Sequence, residues 1–144
     1  MTIEFITMEP DEIDAFLADT RHAVIGTNRK DGSPQLSPVW YLHRDGKIYT
    51  SVYENSAKGY NLRRDPRVTV CVDGTYPDSR YVVMYGTVEF YREHSAWREE
   101  IERAIALRYH ETLEQAESYL RETAEPGGVL LIITPQKVLS GNYN

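Results

Sequence analysis

The chain has a single cysteine, Cys71, so it can form neither an internal disulfide nor a cysteine-rich zinc site. Its four histidines, His22, His43, His94 and His110, are widely spaced, and no two fall four residues apart, so no zinc-type ligand pattern appears. There is no basic excess: 16 Lys and Arg stand against 22 Asp and Glu, a formal net charge of −6. The clustered cations that grip a phosphate backbone are missing, and nucleic acid is not an expected partner. The longest apolar run, residues 129–133, is far shorter than a membrane span. The start, MTIEFITMEPDEID, is acidic and interrupted by Pro10, unlike a secretory signal, so the expected location is the cytoplasm. No P-loop, nucleophile elbow or dinucleotide glycine fingerprint occurs. If the protein is an enzyme, a bound cofactor is expected to carry the chemistry.

What the chain does have is tyrosine: 11, against 3 Phe and 2 Trp. Tyrosine buries a ring but wants a partner for its hydroxyl, which suggests half-wet surfaces such as a cofactor cleft or a subunit interface. A length of 144 residues, with 41% hydrophobic and 26% charged residues, fits one globular domain over 1–144.

The pattern predicts a short helix over 9–19, with Pro10 in its first turn and Ile13, Phe16 and Leu17 on one face. Strands follow at 22–28 and, after the turn RKDGS, at 34–44. Alternation along the second puts Gln35, Ser37, Val39 and Tyr41 on one face and Leu36, Pro38, Trp40 and Leu42 on the other. Asp45-Gly46 marks a hairpin into a third strand, 47–53. A short helix over 56–65, with Ser56 as N-cap, ends at Pro66. RVTVCVD is a strand with Val68, Val70 and Val72 on one face, and Cys71 reads as a small buried core residue. A long strand over 80–92 carries Gly86 as a bulge or bend. Two helices follow. The first has Trp97, Ile101, Ile105 and Arg108 in rhythm; the second, over 112–123, turns Leu113, Ala116 and Leu120 inward. Residues 92–125 hold nine Glu against five Arg and read as a solvated acidic face. VLLIIT at 129–134 is a buried strand, and after Pro135 KVLSGNY is a last short one. Six to seven antiparallel strands with inserted helices define a mainly β (α+β) fold, a Greek-key or split β-barrel.

Two stretches can carry chemistry. In 49–67 a strand ends in Thr50 and Ser51, then a helix starts at Ser56 with Lys58 in its first turn. A cation there opposes the helix dipole, whereas an anion held at the same end reverses the sign. Free N–H groups, a Ser hydroxyl and an ammonium make a phosphate cradle, with Asn61 one turn on. The other reading is a solvated lysine on an ordinary helix. In 35–40, QLSPVW, Pro38 implies an edge or bulge, where backbone groups are free to address a ligand beside Gln35, Ser37 and Val39. Trp40 offers a flat wall, or simply packs in the core.

As an ordered set, DG-x-P-x-x-SPVW, the serine closing the third strand, AK-x-x-NLRRDPRV and GTVEF resemble the flavin- and deazaflavin-binding split β-barrel proteins related to pyridoxamine 5′-phosphate oxidase, most of all the F420-dependent reductase branch. The resemblance covers about residues 9–140. It implies a homodimer with two cofactor sites at the subunit interface. By position, Ser51, Ser56, Lys58 and Asn61 would hold the cofactor phosphate, and Gln35, Ser37, Pro38, Val39 and Trp40 would line the ring. Thr50 would be a further contact. The partner chain would close the site, with Arg80, Tyr81 or the C-terminal segment. The chain departs from the family pattern at Tyr60, where a basic or polar residue is common, and at Ser56, where Arg is common. The implied function is hydride transfer from reduced coenzyme F420 to a small electron-poor substrate. The alternatives are an FMN-dependent oxidoreductase of the same fold and a non-catalytic flavin, haem or tetrapyrrole binder with His22 or His43 as ligand. Tyr41, Tyr85 or solvent would supply the proton. No metal site is expected.

Overall fold

β1 (His22–Asn28), β2 (Pro34–Val39) and β3 (Leu42–Arg44) follow the first helix, α1 (Pro10–Ala18). β4 (Lys47–Tyr53), α2 (Ala57–Arg64), β5 (Arg67–Asp73) and β6 (Tyr81–Tyr91) come next, then α3 (Ala96–Arg108), α4 (Leu113–Glu122) and β7 (Gly128–Gly141). This computed structural model describes residues 6–124 and 126–144. The seven strands form one antiparallel sheet in the order β2-β1-β5-β6-β7-β4-β3. Its two edge strands, β2 and β3, are separated in sequence by Trp40 and Tyr41 alone. Three Cα–Cα steps reach only about 11 Å, so the sheet must curl until its ends meet, and the barrel is split along that seam. Among the described residues, no helix is long and apolar enough to cross a membrane.

The predicted strand over 34–44 is therefore two strands. The alternation holds as far as Tyr41, which is fully buried, but Leu42 turns inward as well because the chain changes direction at the seam. The hydroxyl of Thr50 donates to the Trp40 carbonyl at 2.6 Å and pins the bend. Pro34 and Pro38 both lie on β2, an edge strand that tolerates missing donors.

At the other end of the chain two predicted strands are one, β7, which runs through Pro135. Pro135 is paired with Gly86, and the register slips between Tyr85 and Gly86, so the bulge absorbs the missing donor. A Cβ on Gly86 would strike the Thr134 carbonyl, which explains the glycine in a long strand.

The barrel core gathers Ile25, Tyr41, Ile48, Val70, Met84 and Leu131, with Phe16 and Leu17 of α1 packed into it. Val68, Val70 and Val72 point inward as predicted, which forces Cys71 outward. Cys71 is exposed, not a core residue: the same period of two that turns the three valines inward sets it on the opposite face. A second cluster, with Leu42, Tyr49, Ile101, Ile105 and Leu130, seats α3 on the barrel. In α4 Ala116 is buried, but Leu113, predicted inward, is exposed at the helix start.

Candidate functional site

A cleft of about 1300 Å³ opens between the barrel seam and the α3–α4 pair. From the barrel, the ends of β1 and β2 and the rim of β4 line it; from outside, one face of α3 and the last turns of α4. Five of the sequence candidates lie on it: Pro38, Val39, Trp40, Ser51 and Lys58. Gln35, Ser37, Thr50, Ser56 and Asn61 do not line it.

Those five have clear local tasks. Asn61, buried, donates through Nδ2 to Thr27 Oγ1 at 3.1 Å, and Thr27 donates to Gln35 Oε1 at 3.3 Å. Gln35 Nε2 then donates to Ser37 Oγ at 2.9 Å. Arg64 closes the other end, donating to Asn61 Oδ1 at 3.1 Å and to the Asn28 carbonyl at 2.7 Å. This polar chain ties α2 across β1 to the edge strand β2. Thr50 holds the seam. Ser56 is the N-cap of α2: its Oγ accepts from the Gly59 N–H at 3.2 Å and donates to the Tyr53 carbonyl at 2.6 Å. Gly59 is required here, because a Cβ would collide with the Glu54 carbonyl beneath the helix. The backbone N–H groups of Gly59 and Tyr60 are taken by Ser56, so those of Ala57 and Lys58 are the ones left at the helix start.

Trp40 is not a core residue. It projects to the outside of the seam, 37% exposed, and meets the helices. Its indole stacks on Tyr109, centroids 4.9 Å apart with planes 5° apart; Tyr119 lies at 5.0 Å and His110 edge-on at 5.4 Å. Tyr109 is anchored by its hydroxyl, which donates to the Arg21 carbonyl at 2.9 Å. Burial pushes the Tyr109 and Tyr119 phenols above their ordinary values.

The cleft is cationic although the chain is acidic. Arg21 is held by Asp19 and Asp78 at 3.1 and 3.4 Å. Arg98, buried, pairs with Glu102 and donates to the carbonyls of Arg92 at 3.1 Å and Gly128 at 2.9 Å, locking α3 to the barrel. Lys58, Arg103 and Arg121 line the cleft with no ion-pair partner among the described residues, facing Glu99 as the one cleft acid without a cation of its own.

Two of the tyrosine roles change. Tyr41 is fully buried, its hydroxyl donates to the Leu17 carbonyl at 2.9 Å, and burial raises its pKa to about 12. Tyr85 is exposed but does not line the cleft. Neither is placed to serve as a proton donor. Of the histidines named as ligands, His22 lines the cleft; His43 does not, and burial lowers its pKa. Sequence reasoning missed His94, Arg103, Tyr109, Tyr119 and Arg121, all in a segment read as a solvated acidic face. The signal was two tyrosines among charged helical residues, each three residues after a small one, Ala106 and Ala116.

A split β-barrel whose seam carries a cofactor-sized cationic cleft is a recognisable class of protein. The family model described as pyridoxamine 5′-phosphate oxidase matches residues 9–140, and the chain belongs to that family. Among solved structures it is similar to a conserved hypothetical protein from Mycobacterium tuberculosis, with 29% identity, a TM-score of 0.79, and coverage of 99% of this chain and 89% of that one. It shares its fold with an FAD-binding protein from Mesorhizobium loti, at 20% identity and a TM-score of 0.73 over 96% of this chain and 97% of that one. It also shares its fold with an F420 reductase, at 18% identity and a TM-score of 0.64 over 87% and 94%.

Proposed function

We propose that this protein is an oxidoreductase that uses reduced F420 to reduce a small electron-poor organic substrate. The observation that carries the reading is that the edge-strand residues Pro38, Val39 and Trp40 and the polar pair Ser51 and Lys58 line one cleft. The donor set suits an anionic, ring-bearing cofactor. The Lys58 ammonium, the Ser51 hydroxyl and the free N–H groups of Ala57 and Lys58 would hold a phosphate at the positive end of α2. The free edge of β2 and the apolar faces of Pro38 and Val39 would take the ring. Trp40, fixed by Tyr109, would shield it from water. Bound there, a reduced deazaflavin supplies a hydride. The protein contributes orientation, neutralisation of the phosphate and a dry wall, and the proton that completes the reduction comes from solvent entering the cleft.

The same reading includes a homodimer. On the outer face of the sheet, registered neighbours make an apolar row five strands wide: Pro38, Val24, Cys71, Val83 and Leu139. Leu36 and Tyr85 flank it and are exposed. Such a row on one face supports burial against a second copy. Light scattering would read a dimer, and Val83→Glu would convert it to a monomer.

The deciding experiment is binding of F420 and FMN side by side, followed by quenching of cofactor fluorescence. F420 binding at micromolar concentration with weaker FMN binding supports the proposal. FMN alone would make it an FMN enzyme, and binding of neither would overturn the oxidoreductase reading.

A further inference from the structure

Lys58 and Asn61 stand one turn apart on α2 and face different ways. Lys58 lines the cleft; Asn61 is buried against the barrel, where its Nδ2 donates to Thr27 Oγ1 at 3.1 Å. Thr27 is 1% exposed and lies outside the cleft, opposite Gln35 in the β1–β2 register. Its hydroxyl is used in both senses: it accepts from Asn61 and donates to Gln35 Oε1 at 3.3 Å. The direction of this chain is fixed from one end. Arg64 has donors only, so Asn61 presents its oxygen to Arg64, at 3.1 Å, and its amide N–H to Thr27. Thr27 must then turn its proton to Gln35, and Gln35 donates onward to Ser37 Oγ at 2.9 Å. Ser37 immediately precedes Pro38 and Val39, which line the cleft.

The chain therefore joins the two elements that carry the two halves of the proposed cofactor site. Lys58 comes from α2; Pro38 and Val39 come from β2. Other bonds between this helix and β1 lie at its far end, where Arg64 donates to the Asn28 carbonyl at 2.7 Å and Asn28 donates to the Asp65 cap at 3.0 Å. The Asn61–Thr27 bond is the tie nearer the helix start. A ligand that carries both a phosphate and a ring gains from two grips only when their spacing matches its own. A misplacement of about 1 Å, set by a residue outside the site, is enough to lose that gain. We infer that Thr27 is a positioning residue for the cofactor: its hydroxyl, outside the cleft, holds the phosphate helix at the spacing from the ring strand that one cofactor molecule requires. The inference rests on the oxidoreductase reading and deepens it.

The test uses the full chain and two ligands, F420 and 8-hydroxy-5-deazariboflavin, which keeps the ring and ribityl chain but lacks the phosphate. Affinities are read by fluorescence quenching on wild type, Thr27→Val and Thr27→Ser. Thr27→Val is expected to weaken F420 binding about tenfold and to leave the phosphate-free ligand within about twofold of wild type. Thr27→Ser keeps the hydroxyl and should return F420 affinity to within about twofold of wild type. Gln35→Met cuts the chain at a less buried link and should show the same selective loss, which keeps the inference testable if Thr27→Val does not fold. An equal loss for both ligands, an unchanged F420 affinity in Thr27→Val, or no rescue by Thr27→Ser overturns the inference and leaves the oxidoreductase reading standing. If wild type takes FMN instead, FMN and riboflavin are the matched pair and the same outcomes decide. Wild type that binds neither cofactor overturns the oxidoreductase reading and this role of Thr27 with it.

Discussion

The indole of Trp40 lies flat on the ring of Tyr109, 4.9 Å between centroids, and this stack, with Tyr119 at 5.0 Å beside it, joins the barrel seam to the inserted helices. Trp40 sits where β2 gives way to β3; Tyr109 is the C-cap of α3, tied to the start of β1 by its bond to the Arg21 carbonyl. Tyr109→Ala should cost about 0.5–1.5 kcal/mol beyond its lost burial. It should also shift Trp40 emission to the red. Tyr109→Phe keeps the stack and loses the two hydrogen bonds of its hydroxyl, to the Arg21 carbonyl and from the Tyr41 N–H, about 1 kcal/mol each, with no shift. Urea unfolding and fluorescence in a Trp97→Phe background read both. An unshifted Tyr109→Ala spectrum would show that the stack does not hold the indole.

The chain Asn61–Thr27–Gln35 makes its own prediction. Thr27 is buried, accepts from Asn61 and donates to Gln35. Thr27→Val is nearly isosteric but strands the Asn61 amide in a dry interior, at about 1–3 kcal/mol. Thr69→Val, on the outer face of β5, should stay within about 0.5 kcal/mol of wild type. Equal effects on the denaturation midpoint would mean that the chain does not matter to stability.

Lys58 is the proposed phosphate cation, and Arg29 is an exposed cation in the β1–β2 turn. Removing a charge-assisted hydrogen bond costs about 1.5–3 kcal/mol, so Lys58→Ala should weaken F420 binding about tenfold or more. Arg29→Ala should change it less than about twofold. Titration of both variants checks this, and similar losses would remove Lys58 from the site.

Acid should destabilise the protein through two carboxylates. Asp65 accepts from the Arg67 guanidinium at 2.7 Å and from Asn28 at 3.0 Å, and Asp78 accepts from Arg80 at 2.8 Å. These partners hold both carboxyls well below their ordinary range. With the folded pKa below the unfolded one, the stabilisation is complete above the unfolded value and is lost as pH falls through the folded one. Wild type should thus hold its urea midpoint from neutral pH down to about pH 4 and lose stability below it. The gap between wild type and the D65N/D78N variant should close over that lower range. A gap that stays constant down to acid unfolding would rule out these two groups.

Local sequence determined most of the elements because their signals are local. Turn chemistry at Asp45-Gly46, the Ser56 cap, the proline after α2 and the period of two in RVTVCVD each act within a few residues. The motif set was legible in the same way: residues 35–40 and 51–61 are short runs with fixed spacing. Tertiary structure decided which of them meet. Whether 34–44 is one strand or two depends on the barrel closing, and whether Pro135 breaks β7 depends on Gly86 across the sheet. Burial of Asn61 depends on Thr27, 34 residues away. The cleft's second wall was hidden for the same reason: the charges of α3 and α4 look like a solvated face until the fold turns Arg103, Tyr109, Tyr119 and Arg121 toward Trp40 and the seam. Local patterns record what a residue does within its own element, and a site is made by the approach of elements far apart in the chain.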